Sequence, residues 1–336
     1  MKRLGLLFLG LLQFSCSSQS KEKINGVSFV GSRDKALQEH IDPVRKVNAN
    51  YAAVMPFGFV RNLEDPNVIF DTERQWFGET RAGGKQYIEI LQKNDIKIMV
   101  KPQIWVWRGE FTGDILMKTE EDWRRLEKTY TDFALTYAKL AEETKAEVYC
   151  IGTELEEFVK NRPQYWRGLI AELREVYKGQ LTYAANWDEY KRTPFWKELD
   201  FIGVDAYFPL SEAKKPSKLQ MQEGWQKWKT KLLEVSQINE RPILFTEFGY
   251  RSMDYAVKKP WLVDMNQMEV NLDAQANALQ VLFDEFWGED WFAGGFVWKW
   301  FIHHKEVGGE KDNRFTPQNK PAESVIRAHY GRLRPN

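Results

Sequence analysis

The 336-residue chain lacks several features that mark common functional classes. Two cysteines, Cys16 and Cys150, are too few for a disulfide framework or a zinc ribbon. The four histidines form no metal-ligand motif, so we expect neither a metal nor another cofactor. Basic and acidic residues number 48 each, which leaves no basic excess for phosphates and argues against nucleic acid as a partner.

Long hydrophobic runs are also missing, apart from one short run near the N-terminus. Residues 4–12 (LGLLFLGLL) follow two basic residues and are too few to span a bilayer, which is typical of a signal peptide. Ser15-Cys16 resembles a bacterial lipoprotein cleavage site, although Gln13 stands where such sites usually have leucine. Plain secretion is the alternative. We therefore predict export across the inner membrane, with membrane contact only through a lipid anchor at Cys16, in the periplasm or on the cell surface. The predicted segments are a lipoprotein-like signal peptide (1–16), a polar tether (17–23) and one folded domain (24–332).

Short runs rich in β-branched and aromatic residues alternate with amphipathic stretches throughout the predicted domain. The predicted strands are 24–30, 51–55, 96–105, 147–153, 181–187, 201–208, 243–250 and 295–301. The clearest predicted helices are 121–142, 166–177, 224–236 and 274–287. Eight strand-helix units favour an α/β fold, a (β/α)8 TIM barrel in a single domain. A doubly wound nucleotide-binding fold is disfavoured because no glycine-rich phosphate turn follows the first strand. Loops 57–84 and 251–271 are long and are expected to shape the active site.

Ionisable residues occur where several of these strands end, and catalytic groups of such barrels lie there. Glu154 ends the fourth predicted strand, Asp205 lies near the end of the sixth, Glu247 ends the seventh, and Lys101 lies in the third. Two carboxyl groups that face each other can cleave a glycosidic bond, and barrel geometry places these two glutamates roughly 6 Å apart, near the retaining value. A single strand-end glutamate is more often a cap or an ion-pair partner. Glu156 and Glu157 compete with Glu154, but they are expected in the first turn of a helix.

Five segments, in this order, resemble glycoside hydrolase family 113 over about residues 24–301. They are IGTEL (151–155), LTYAANWDEY (181–190), LDFIGVDAYFPL (199–210), ILFTEFGYRS (243–252) and GFVWKW (295–300). The resemblance implies a retaining (β/α)8 glycosidase that acts on β-1,4-mannan and manno-oligosaccharides. It also implies that Glu154 is the general acid/base and Glu247 the nucleophile. Thr153 departs from the wider clan, in which asparagine commonly precedes the acid/base.

Further residues are expected to bind substrate or to support the two glutamates. Either Thr153 or Asn186 would bind the sugar 2-hydroxyl, and either Tyr207 or Tyr250 would donate to Glu247. Asp205 and Lys101 are expected either to support the site or to form an ion pair inside the barrel without contacting substrate.

The sequence is rich in aromatic residues, including 14 tryptophans, and these fall into two groups. Aromatic faces near strand ends can stack on sugars, with Trp298 expected as the floor of the cleavage subsite. The near-end set is Trp105, Trp107, Trp187, Trp298 and Trp300. The helical set, expected to pack helices onto the barrel, is Trp123, Trp166, Trp225, Trp228 and Trp287.

Two alternatives to a β-mannanase remain open at this point. One is a retaining β-glycosidase of other specificity, acting on β-glucan, xylan or a terminal β-mannoside. The other is a catalytically inactive glycan-binding lipoprotein, against which the presence of both Glu154 and Glu247 argues.

Overall fold

The structure, a computed structural model, describes residues 22–262 and 269–332. The predicted signal peptide and residues 17–21 of the predicted tether lie outside the described residues, so export and the lipid anchor stay predictions. Within the described ranges, no helix is both long and apolar enough to cross a membrane.

Eleven strands and eight α-helices are present in the described ranges. The strands are β1 (Ile24–Phe29), β2 (Tyr51–Val54), β3 (Phe57–Val60), β4 (Ile69–Phe70), β5 (Lys97–Val100), β6 (Gln103–Val106), β7 (Val148–Thr153), β8 (Gln180–Asn186), β9 (Ile202–Asp205), β10 (Ile243–Phe248) and β11 (Phe292–Trp300). The helices are α1 (Gln38–Lys46), α2 (Arg81–Gln92), α3 (Glu120–Glu143), α4 (Glu156–Asn161), α5 (Pro163–Val176), α6 (Lys218–Asn239), α7 (Leu272–Phe286) and α8 (Pro321–Gly331).

Eight of the strands close into a parallel barrel, which confirms the predicted (β/α)8 fold. Their order around the barrel is β1, β2, β5, β7, β8, β9, β10, β11 and back to β1. Alternate residues point inward, and a small apolar cluster that includes Met99, Cys150 and Phe296 fills the interior. Cys150 is fully buried there, as expected of a small apolar side chain. At Gly203, β9 passes so close to β8 that a Cβ atom would lie 2.1 Å from the carbonyl oxygen of Tyr183.

A larger apolar core lies between the barrel and the surrounding helices. Helix α3 illustrates how the sequence builds it: the Thr119 side chain accepts from the Asp122 amide at the N-terminus, and apolar residues at helical spacing face the barrel. The five tryptophans of the helical set are all buried in this core, which confirms their predicted structural role.

The third predicted strand (96–105) is wrong as one continuous strand. Barrel strand β5 ends at Val100, and the chain leaves the barrel at Lys101-Pro102. Because Pro102 has no N–H group, it cannot continue the hydrogen-bond ladder. The chain resumes as β6, which pairs with β3 in a small sheet of order β4-β3-β6 beside the barrel mouth. The predicted loop 57–84 is therefore also partly ordered, since β3, β4 and the start of α2 fall within it.

Candidate active site

Glu247, the penultimate residue of β10, has the most extensive set of hydrogen-bond donors at the barrel mouth. Its Oε1 accepts from the Lys101 ammonium and from Gln103 Nε2, the latter at 2.8 Å. Its Oε2 accepts from the Tyr207 hydroxyl at 2.8 Å. Three donors, one of them cationic, surround the carboxyl group and fix the direction in which it faces.

A buried ion pair supports Glu247 from below. Lys101 is 0% exposed and Asp205 1% exposed, and the Lys101 Nζ lies 3.4 Å from both carboxylate oxygens of Asp205. Thr246 Oγ1 donates to Asp205 Oδ1 at 2.8 Å. Burial and the nearby Glu247 raise the pKa of Asp205 to about 7, against the opposing effect of Lys101. Burial alone would lower the pKa of Lys101, but the two carboxylates outweigh it and raise that pKa.

Glu154 has a very different environment. It follows the last residue of β7 with φ 51°, in the left-handed region, and its amide donates to the Ala184 carbonyl of β8 at 2.7 Å. Its partly exposed side chain has no hydrogen-bond partner among the described residues. Burial of the carboxyl group, with Asp205 and Glu247 nearby, raises the pKa of Glu154 well above its usual value. The site therefore holds one carboxyl group that favours its proton and one that is surrounded by donors.

The remaining polar candidates divide between the site and its surroundings. Of the two tyrosines, Tyr207 bonds to Glu247, whereas the buried Tyr250 hydroxyl has no hydrogen-bond partner among the described residues. Asn186 is the last residue of β8, and its side-chain Oδ1 accepts a hydrogen bond from the backbone amide of Trp187 at 2.7 Å. The N–H groups of the Asn186 side-chain amide have no partner in the part of the chain that the structure describes, so they are free to donate. Thr153 is the last residue of β7, directly before Glu154.

The near-end tryptophans are less uniform than the sequence suggests. Trp300 is fully buried, whereas Trp298, two residues earlier on β11, is partly exposed. Trp105 is not at the end of a barrel strand, because it lies on β6 of the side sheet, and it is 49% exposed. Trp187 stacks on Trp261 with ring centroids 4.9 Å apart, so residues 251–262 reach the end of β8.

Three residues at or beside the site were missed by sequence reasoning. Gln103 could have been found, because it lies two residues after Lys101 in an extended segment and such residues share a face. Lys299 follows Trp298 on β11, and its Nζ lies 5.4 Å from the centroid of the Trp298 ring. Burial lowers the pKa of Lys299, Glu247 raises it and Arg314 lowers it further. Glu189, three residues after β8, is buried and accepts a hydrogen bond from the Tyr183 hydroxyl, and nothing in the surrounding sequence indicates that this glutamate is buried.

Comparison with known proteins gives a consistent result. The model of Glycoside Hydrolase Family 113 matches residues 31–320. A GH113 β-1,4-mannanase in complex is similar in structure, with TM-score 0.79 and 22% identity, covering 92% of this chain and 99% of that one. The GH113 β-mannanase of Alicyclobacillus acidocaldarius in complex with ManMIm has TM-score 0.79 and 23% identity, covering 93% and 98%. A Faecalibacterium prausnitzii β-glucuronidase is more distant, with TM-score 0.63 and 12% identity, covering 93% and 49%. No curated protein matches the chain.

Proposed function

Because the chain belongs to glycoside hydrolase family 113, it is a glycoside hydrolase, and we propose that it cleaves β-1,4-mannosidic bonds in mannan or manno-oligosaccharides with retention of configuration. The observation that supports this most strongly is the contrast between Glu154 and Glu247. A retaining glycosidase needs one protonated and one ionised carboxyl group on either side of the bond. The β-mannanases of similar fold support mannan as the substrate.

In the proposed mechanism, the Glu247 carboxylate attacks the anomeric carbon while Glu154 donates its proton to the leaving oxygen. A covalent glycosyl-enzyme forms and the leaving sugar departs as an alcohol. Glu154, now ionised, removes a proton from a water molecule, which attacks the anomeric carbon and releases Glu247. Lys101, Gln103 and Tyr207 hold the Glu247 carboxyl group in the orientation from which it attacks the sugar.

Substrate binding is assigned to groups that are open to the barrel mouth. The partly exposed Trp298 is proposed to stack on the apolar face of the sugar at the cleavage point. The free amide N–H groups of Asn186 are proposed to donate to the 2-hydroxyl, which is axial in mannose. The exposed Trp105 is proposed to contact a more distant sugar. Lys101 and Asp205 are buried, which favours a supporting role for them over contact with substrate.

Product analysis on mannohexaose tests the substrate, the bond and the mode of attack together. We expect shorter β-1,4-manno-oligosaccharides, with the β-anomer seen first by NMR because two displacements retain configuration. The same enzyme is offered β-glucan, xylan and aryl β-mannosides. Turnover of β-glucan with none of mannan would refute the proposed specificity, and early α-anomer would refute retention.

Variants of the two glutamates test their separate roles. Glu247→Ala is expected to abolish hydrolysis of every substrate. Glu154→Ala is expected to hydrolyse mannohexaose very poorly but to keep forming the intermediate from dinitrophenyl glycosides, whose leaving group needs no proton. Azide should then restore turnover and yield a β-glycosyl azide. Glu157→Ala is the matched control, because Glu157 lies in the first turn of α4 and pairs with Lys160 at 2.8 Å. Loss of activity in this control would point to Glu157 instead.

We also propose, on sequence alone, that the enzyme is exported and anchored through a lipid on Cys16. Radiolabelled palmitate should label the full chain in a bacterial host, whereas the Cys16→Ala variant should stay unlabelled. Equal labelling of both chains would exclude the anchor.

A further inference from the structure

The backbone around Glu154 is attached to the neighbouring strand β8 at two consecutive amides. The Glu154 amide donates to the Ala184 carbonyl, and the Leu155 amide donates to the Tyr183 hydroxyl at 2.7 Å. Leu155 and Tyr183 are both buried, so the second bond is shielded from water. Because Glu154 has a positive φ, the direction of its side chain depends on these two attachments.

The Tyr183 hydroxyl is itself held by a buried acid. The hydroxyl donates to Glu189 Oε1 at 2.7 Å. Glu189 Oε2 accepts a hydrogen bond from the backbone amide of Asn186 at 3.0 Å. Glu189 is 1% exposed and forms no ion pair with any described residue. Burying a carboxyl group without a cation is unfavourable, and the hydrolytic mechanism does not use this one. A chain of hydrogen bonds thus runs from Glu189 through Tyr183 to the amide that follows Glu154.

We propose that Tyr183 and Glu189 are positioning residues for the general acid/base, holding the Glu154 backbone in its donating geometry and adding a negative charge that favours its proton. The inference rests on the role of Glu154 proposed above and goes beyond it, since both side chains are buried and would act through Glu154.

The charges around Glu154 shift its pKa in the direction that this role requires. Burial is the largest cause of the raised pKa of Glu154, and the charges of Asp205 on β9 and Glu247 on β10 raise it further. The Lys101 ammonium lowers this pKa. Glu189 makes a smaller contribution that raises it. Glu189 itself faces Tyr183, Glu156 and Asp205, with Glu156 paired to Arg192. Burial raises the pKa of Glu189 to about 8 despite its two hydrogen bonds. Its charge therefore develops at mildly alkaline pH, where it opposes loss of the proton from Glu154.

Tyr183→Phe tests the positioning. The variant keeps the ring but removes the hydroxyl that links Glu189 to the Leu155 amide. We expect kcat/KM for a manno-oligosaccharide, whose leaving group needs a proton, to fall about 10- to 100-fold. A dinitrophenyl β-glycoside needs no proton, so its kcat/KM should fall less than about threefold. A merely structural role would lower both equally, and equal losses would overturn the proposal.

Glu189→Gln tests the charge. The alkaline limb of the kcat/KM profile should move to lower pH by about half a unit or more, because the remaining side chain cannot ionise. The matched control is Glu147→Gln. Glu147 lies just before β7, at the opposite end of the strand from Glu154, and its carboxylate accepts the Ile98 amide at 2.7 Å. This control should keep the wild-type profile, and an unchanged limb in Glu189→Gln would overturn the charge effect.

One readout does not depend on the substrate. In protein labelled with carboxyl-13C glutamate, the Glu154 signal is identified by its absence from Glu154→Gln and is titrated in the wild type and in Glu189→Gln. We expect the titration midpoint of Glu154 to fall in the variant. If mannan is not hydrolysed, this titration still decides whether Glu189 acts on Glu154, so failure of the substrate proposal and failure of this one are distinguishable.

Discussion

Replacing Lys101 by methionine probes the electrostatic centre of the barrel. The ammonium is fully buried between Asp205 and Glu247, and methionine fills a similar volume without the charge. Removing one partner of a buried ion pair typically destabilises a protein by about 3–5 kcal/mol, because a charge is left without compensation. For a chain of this length, that corresponds to a fall in melting temperature of roughly 5–8 °C at pH 8.

The loss should depend on pH in a defined direction. The folded-state pKa of Asp205 lies at about 7, above its unfolded value of 3.8, so its contribution to stability is present at low pH and is lost as the pH rises towards 7. Without Lys101, which opposes this shift, the pKa of Asp205 rises further. Because pH 8 lies only about one unit above the wild-type pKa of Asp205, this rise makes the variant's deficit larger at pH 8 than at pH 5 by about 1.0 to 1.4 kcal/mol.

Urea denaturation of wild type and Lys101→Met at pH 5 and pH 8 measures both effects. The matched control is Lys118→Met, because Lys118 pairs with Glu64 at the surface, where ion pairs contribute little. This control should behave like the wild type at both pH values. If Lys101→Met lost equal stability at pH 5 and pH 8, or lost none, the reasoning about the buried pair would be refuted.

Three smaller perturbations follow from the contacts of Glu247 and the open tryptophan. Tyr207→Phe should lower kcat about 10- to 100-fold, because it removes a hydrogen bond to a charged carboxylate. Tyr250→Phe should leave kcat unchanged, because the Tyr250 hydroxyl has no hydrogen-bond partner among the described residues. Equal kinetics of the two variants on an aryl mannoside would contradict this. Gln103→Leu should lower kcat less than Tyr207→Phe does, because Lys101 still donates to the same oxygen; a larger loss would make Gln103 the dominant donor. Trp298→Ala should reduce kcat/KM about tenfold or more on manno-oligosaccharides, and unchanged kinetics would remove Trp298 from the cleavage subsite.

The sequence was informative where periodicity and strand ends carry the information. The repeated strand-helix pattern predicted the barrel, and Glu154, Glu247, Asp205 and Lys101 were predicted as site residues because strand ends in a barrel converge. Which group contacts which could not be read from the sequence. Tyr207 and Tyr250 each lie two residues after a barrel strand, and only the fold determines that Tyr207 reaches Glu247.

The division of the third predicted strand could not be predicted from hydrophobic periodicity, for a different reason. Strand-forming residues occur on both sides of Pro102 (Ile96, Ile98 and Val100 before it, Ile104 and Trp105 after it), so the strand pattern resumes after the proline and reads as one strand. The side sheet exists only because β3 lies alongside to pair with β6. The role of Glu189 was equally hidden, because its burial depends on contacts with Tyr183 and Asn186 of β8.

The left-handed backbone of Glu154 places activity and stability in opposition at a single position. A residue other than glycine in that conformation costs on the order of 1–3 kcal/mol, and a carboxyl group without a hydrogen-bond partner in the described part of the chain adds nothing in return. Selection for a more heat-resistant fold would therefore favour glycine there, and the resulting protein would be a sturdier barrel with no acid. Programmes that optimise this enzyme for temperature should hold residue 154 fixed and seek their gains at the outer helices.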